Sequence, residues 1–70
     1  MIADRLEKLV AEMVESSVRF QDAAREFEKR FMTRVLARCD GSLTRAADEL
    51  GMHRNTLTRK MREHRIRRRS

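Results

Sequence analysis

Proline, tryptophan and tyrosine are absent from these 70 residues, and there are only two glycines, one cysteine and three aromatic residues, all Phe. Each scarcity removes a class of structure. Without proline and with so little glycine, helical runs meet few breaks, and abundant Ala, Leu, Glu, Arg and Met favour them, so the composition predicts an all-α chain. The lone Cys39 cannot close an intramolecular disulfide. With His53 and His64 it also lacks the close ligand pairs of a zinc finger, and its place on the apolar side of a helix suits a buried thiol. Three Phe rings are too few for a sheet that stacks RNA bases. No apolar run approaches a membrane span or a signal sequence, which predicts a soluble, cytoplasmic protein with no membrane partner. No glycine-rich loop is present to cradle a nucleotide phosphate. The carboxylates alternate with arginines on faces the periodicity leaves exposed, so ion pairing accounts for them without a catalytic pair. Neither catalysis nor a cofactor or metal is expected.

The charge that is present is unevenly placed. Residues 1–40 carry eight Lys or Arg against eight Asp or Glu, while residues 41–70 carry nine against three, so the net charge of +6 sits in the last thirty residues. A neutral half joined to a basic half suits a scaffold carrying a surface for a polyanion, because clustered cations release counterions from phosphates. A solvated charged face is the plainer alternative.

Periodicity divides the chain further. Ile2, Leu6, Leu9, Val10, Met13 and Val14 recur at steps of three and four, lining one face of a first helix. The pattern fades at Ser16-Ser17, where a connection is expected. A second helix over about Gln21–Cys39 carries Phe20, Ala23, Ala24, Phe27, Phe31, Met32, Val35 and Leu36, a surface wide enough for neighbours on two sides, and it forms the spine. Gly41 is expected to end it, and Ser42 to cap a third helix that runs to about Leu50.

From Gly41 to Ile66 the sequence GSLTRAADELGMHRNTLTRKMREHRI reads as a helix, a glycine turn and a second, basic helix over about Arg54–His64, the layout of a helix-turn-helix DNA reader. Ala46, Ala47 and Leu50 give the first of these helices its apolar edge, and Gly51 can take the positive φ that closes it. Helices that cross steeply over a short turn approach closely, and Ala47 is the small residue expected at that crossing. Leu57 and Met61 restart the apolar stripe at i, i+4, and Ile66 is expected to cover the end of the core. The Arg-rich tail 67–70, with Arg65, adds nonspecific attraction or is a disordered end.

These residues carry a family resemblance. Gly41, Thr44, Arg45, Ala46, Ala47, Leu50 and Gly51, followed by Arg54-Asn55-Thr56-Leu57-Thr58-Arg59-Lys60, resemble the DNA-binding C-terminal domains of NtrC-type bacterial transcriptional activators, and the chain as a whole is similar to the Fis family. Phe27-Glu28 with Leu36 resembles that family's spine helix. The resemblance spans about Phe20 to Ile66. It implies a four-helix protomer that dimerises through its first two helices and offers one helix-turn-helix per subunit to successive major grooves. It further implies a bacterial, nucleoid-associated regulator, and it allows DNA bending.

The side chains can be assigned by their chemistry. Arg54, at the start of the recognition helix, can present a guanidinium fork to guanine O6 and N7. Arg59 can border the same groove as a base reader or bind a phosphate. Asn55 can read adenine with its amide, or satisfy free N–H groups at the helix start. Thr44, Arg45, Thr56, Thr58, Lys60 and Arg62 suit phosphate positioning, which fixes register without reading bases. For Lys60 and Arg62 a solvated face is the alternative. His53 stands where the family often has Ser or Asn and is a poorer cap; protonated, it can meet a base or phosphate.

A chain this short is marginal as a monomer. Dimerisation would bury Leu6, Leu9, Val10, Met13, Phe27 and Phe31 about a twofold axis. The sequence thus divides into dimerisation helices over 1–40, a helix-turn-helix over 41–66 and a basic tail over 67–70, within one domain. The expected activity is sequence-selective binding of double-stranded DNA by a homodimeric transcriptional regulator. A DNA-bending architectural protein with weak sequence preference, and a helical module that binds another protein, are the alternatives.

Overall fold

The computed structural model describes residues 1–66, so the expected basic tail with Arg67, Arg68 and Arg69 lies outside the described residues. Four helices follow one another: α1 (Ile2–Glu15), α2 (Phe20–Arg38), α3 (Leu43–Leu50) and α4 (Arg54–Glu63). Among the described residues there is no strand.

The core is small and lies at one end of the molecule. Met32 and Leu36 from the second half of α2, Cys39, Ala46 and Ala47 from α3, and Leu57 and Met61 from α4 are buried together. Val35, Leu43, Leu50, Met52 and Ile66 pack around them. Ile66 therefore covers the end of the core as its sequence position predicts. The closest helix packing is α2 on α3 and α3 on α4. Ala46 and Ala47 make that approach possible, since both are buried where α3 meets its neighbours. Leu57 is fully buried, and removing such a side chain from water contributes roughly 1.5–3 kcal/mol.

All four helices end in the same hydrogen-bonded turn. In each, a residue with positive φ follows the last helical residues: Ser17, Asp40, Gly51 and Arg65, with φ of 59°, 53°, 72° and 56°. The amide after it reaches back to the carbonyl five residues earlier: Val18 to Met13, Gly41 to Leu36, Met52 to Ala47 and Ile66 to Met61. This Schellman closure satisfies carbonyls that the helix end leaves free. Only at Gly51 does the sequence supply the residue that adopts this conformation without strain. At the end of α2 the structure corrects the sequence reading. Asp40 takes the left-handed position and Gly41, φ 80°, follows it. Aspartate is among the few side chains that tolerate this region.

The other end of the molecule lacks a core. No residue of α1 is buried. Its apolar stripe and the stretch of α2 from Phe20 to Val35 face each other across an open groove, and Leu6 and Leu9 each keep 52% of their surface in solvent.

Candidate nucleic-acid interface

The candidate interface lies on α3 and α4, whose starts are both capped by side chains. Ser42 Oγ accepts from the Arg45 amide at 3.3 Å, as its position before α3 predicts. At α4 the cap is His53, whose Nδ1 accepts from the Asn55 amide at 3.0 Å. His53, expected to be a poorer cap, does cap α4, and it satisfies the amide of Asn55, whose own side chain is exposed.

Helical rotation of about 100° per residue then sorts the basic helix into faces. Leu57, Met61 and His64 point inward. Asn55, Arg59 and Arg62, spaced i, i+4, i+7, form the exposed outward stripe. Arg54 and Thr58 occupy one flank, and Thr58 Oγ1 donates back to the Arg54 carbonyl at 3.0 Å. On this flank Arg54 meets Thr44, Arg45 and Ser42 around one concavity of about 410 Å³, between the α2–α3 turn and the start of α4. The structure thus gathers Arg54 with Thr44 and Arg45, which lie ten and nine positions before it.

The opposite flank carries Thr56 and Lys60, both partly buried. Lys60 Nζ lies 3.2 Å from Glu28 Oε1 on α2. Lys60, expected among the phosphate contacts, is thus paired with a carboxylate of its own fold. The same oxygen receives His64 Nε2 at 2.9 Å. The His64 bond first, then that of Lys60, hold the Glu28 carboxyl below its usual value of 4.5.

A second glutamate ties α3 to α2. Glu49 Oε2 accepts from Cys39 Sγ at 2.7 Å, and Glu49 Oε1 lies 3.3 Å from Arg38 Nε. Cys39 is buried, as expected. The hydrogen bond to Glu49, then burial, push its thiol above the usual 9.0, which keeps the unreactive protonated form. Sequence reasoning missed Glu28, Glu49 and His64, since it placed the carboxylates on solvated faces. A signal for His64 was present: Leu57, Met61 and His64 follow the i, i+4, i+7 spacing of a buried stripe.

The six residues expected at a dimer interface, Leu6, Leu9, Val10, Met13, Phe27 and Phe31, all line the open groove of about 930 Å³ between α1 and α2. Phe27 and Phe31 stack in a tilted pair with centroids 5.3 Å apart. Among the described residues, no helix is long and apolar enough to cross a membrane.

A family model described as bacterial regulatory protein, Fis family, matches residues 23–64, more than half of the chain. No match was found among curated proteins or among solved structures. The matched span takes in the core-forming part of α2, all of α3, the glycine turn and α4, and leaves out α1. With its spine helix, turn and basic helix inside that span, this chain belongs to the Fis family of bacterial regulatory proteins and carries a DNA-binding helix-turn-helix.

Proposed function

We propose that the protein binds double-stranded DNA sequence-selectively as a homodimer and regulates transcription in the bacterial cytoplasm, in association with the nucleoid. The observation that carries the dimer is the α1–α2 groove, where Phe27 and Phe31 remain 59% and 50% exposed. Contiguous apolar surface of this kind marks an interaction site on a soluble protein. A twofold copy seated there buries both stripes, leaves the two α4 helices free and presents them to a palindromic site. In this arrangement residues 1–40 form the dimerising half and residues 41–66 the DNA-reading half.

Within each subunit Arg54, Asn55 and Arg59 read bases from the exposed side of α4. Thr44, Arg45, Thr56, Thr58 and Arg62 fix the backbone. The convergence of Thr44, Arg45 and Arg54 on one concavity supports this division, since a phosphate and an adjacent base edge would lie within reach of neighbouring side chains.

Selection of bound duplexes from a random DNA pool at physiological salt tests the reading. Enrichment of a two-fold symmetric motif is expected. Binding with little enrichment would favour a shape-reading architectural protein, and no binding would leave a helical interaction module. On the selected site, Arg54→Ala is expected to relax base preference. Arg45→Ala is expected to weaken all sequences alike and to flatten the salt dependence by roughly 0.9 of a slope unit.

A further inference from the structure

Glu28 Oε1 receives two donors from the basic helix, Lys60 Nζ at 3.2 Å and His64 Nε2 at 2.9 Å. Lys60 in the last turn of α4 and His64 just past its end stand at i, i+4, so one carboxylate on α2 spans a full turn at the C-terminal end of the recognition helix. The His64 side chain is only 8% exposed, and its Nδ1 is buried without a partner. That orphan assigns the tautomer. A neutral ring with its hydrogen on Nδ1 would bury an unused donor and set the Nε2 lone pair against a carboxylate oxygen, so the hydrogen sits on Nε2 and donates to Glu28.

His64 therefore fixes the carboxylate from beneath, and the carboxylate fixes Lys60 from the side. The Lys60–Glu28 pair is partly open to solvent, with side chains 27% and 40% exposed, and such pairs contribute little to stability. Its larger consequence is the location of a charge. A lysine on a flank of a DNA-reading helix ordinarily neutralises a phosphate and releases its counterion. Here the ammonium is paired with a carboxylate of the protein itself.

We propose that Glu28 is a positioning residue that acts on DNA binding without touching DNA: it withholds Lys60 from the phosphates and so lowers the sequence-independent attraction of the recognition helix. This rests on the reading of α4 as the DNA-contacting helix. The long, flexible lysine stem makes the withholding reversible by a change of charge at residue 28, because the stem is free to swing outward once its partner is neutral.

The test is the salt dependence of affinity for a scrambled duplex, measured with the full chain. Glu28→Gln keeps an acceptor for His64 and removes the charge that holds Lys60. It is expected to bind more tightly at low salt and to steepen the plot of log affinity against log salt by about 0.9, an extra loss of roughly threefold between about 50 and about 200 mM salt. Lys60→Met alone is expected to leave the wild-type slope unchanged, and Lys60→Met added to Glu28→Gln to restore it. A merely structural role for Glu28 predicts weaker binding and no such restoration. An unchanged slope in Glu28→Gln, or a flatter slope in Lys60→Met, would overturn the proposal. Should Glu28→Gln lose its helical circular dichroism, Lys60→Met alone decides, since a lysine that touches phosphate must flatten the slope when removed. Failure of the wild-type chain to bind any duplex would remove the DNA reading itself, a result distinct from either slope.

Discussion

Leu57 on α4 and Leu9 on α1 are the same residue in helices of similar amphipathic design, yet Leu57 is fully buried and Leu9 keeps 52% of its surface in solvent. The difference lies in what each helix packs against. The α3 and α4 helices close on each other and on the second half of α2 through Ala46 and Ala47, so a short sequence encloses a core. The α1 helix faces α2 across a groove that these two helices line and that remains open. One half of the molecule is a closed core, and the other presents an open apolar groove, which the proposed dimer would cover.

Breaking the closed half should have the largest effect. Leu57→Ala empties a fully enclosed site and is expected to lower unfolding free energy by about 2–5 kcal/mol in denaturant titrations. Leu9→Asp on the open half should behave differently. It is expected to abolish the rise of melting temperature with protein concentration that a dimer confers, and to give the mass of one 8.3 kDa chain by light scattering at micromolar protein. A wild-type melting temperature that ignores concentration would sink the proposed dimer.

Next in size is Ala47→Leu, which forces apart the crossing of α3 and is expected to cost about 1–3 kcal/mol. A tolerated leucine would show that the two helices are not held in close contact there.

Acid should loosen the tie between the halves by a smaller amount. The folded-state pKa of Glu28 is lowered from 4.5, so its contribution is fully present above that value and is lost as pH falls through the lower, folded value. Melting temperature measured down an acid series should fall less steeply for Glu28→Gln than for the wild type, and parallel curves would contradict the assignment. The smallest effect belongs to Asp40→Gly. It relieves a left-handed aspartate and is expected to stabilise by less than about 1 kcal/mol, read as a small rise in denaturation midpoint.

Much of the fold is legible along the chain, and particular residues show why. The stripe from Ile2 to Val14, the serine before α3, Gly51 and the pair Leu57 and Met61 each act over three or four residues, which is the range of helical hydrogen bonds and of side chains on one face. The set of groove residues is legible for the same reason. His53 is harder to read, because a histidine caps only when its ring turns Nδ1 toward the helix start. Asp40 is harder still, since the glycine beside it is the stronger signal for a left-handed turn.

Sequence by itself therefore determined the four helices, their apolar faces and the concentration of positive charge in the last thirty residues. Tertiary structure decided which charges remain free. Lys60 and Glu28 are 32 positions apart and His64 and Glu28 are 36 apart, and no local rule brings them to one oxygen. That meeting depends on how α4 is carried across α2 by the close packing of α3, and a hydrogen bond is made or lost over a fraction of an ångström. The chain declares a basic helix, and the fold selects which of its cations face outward.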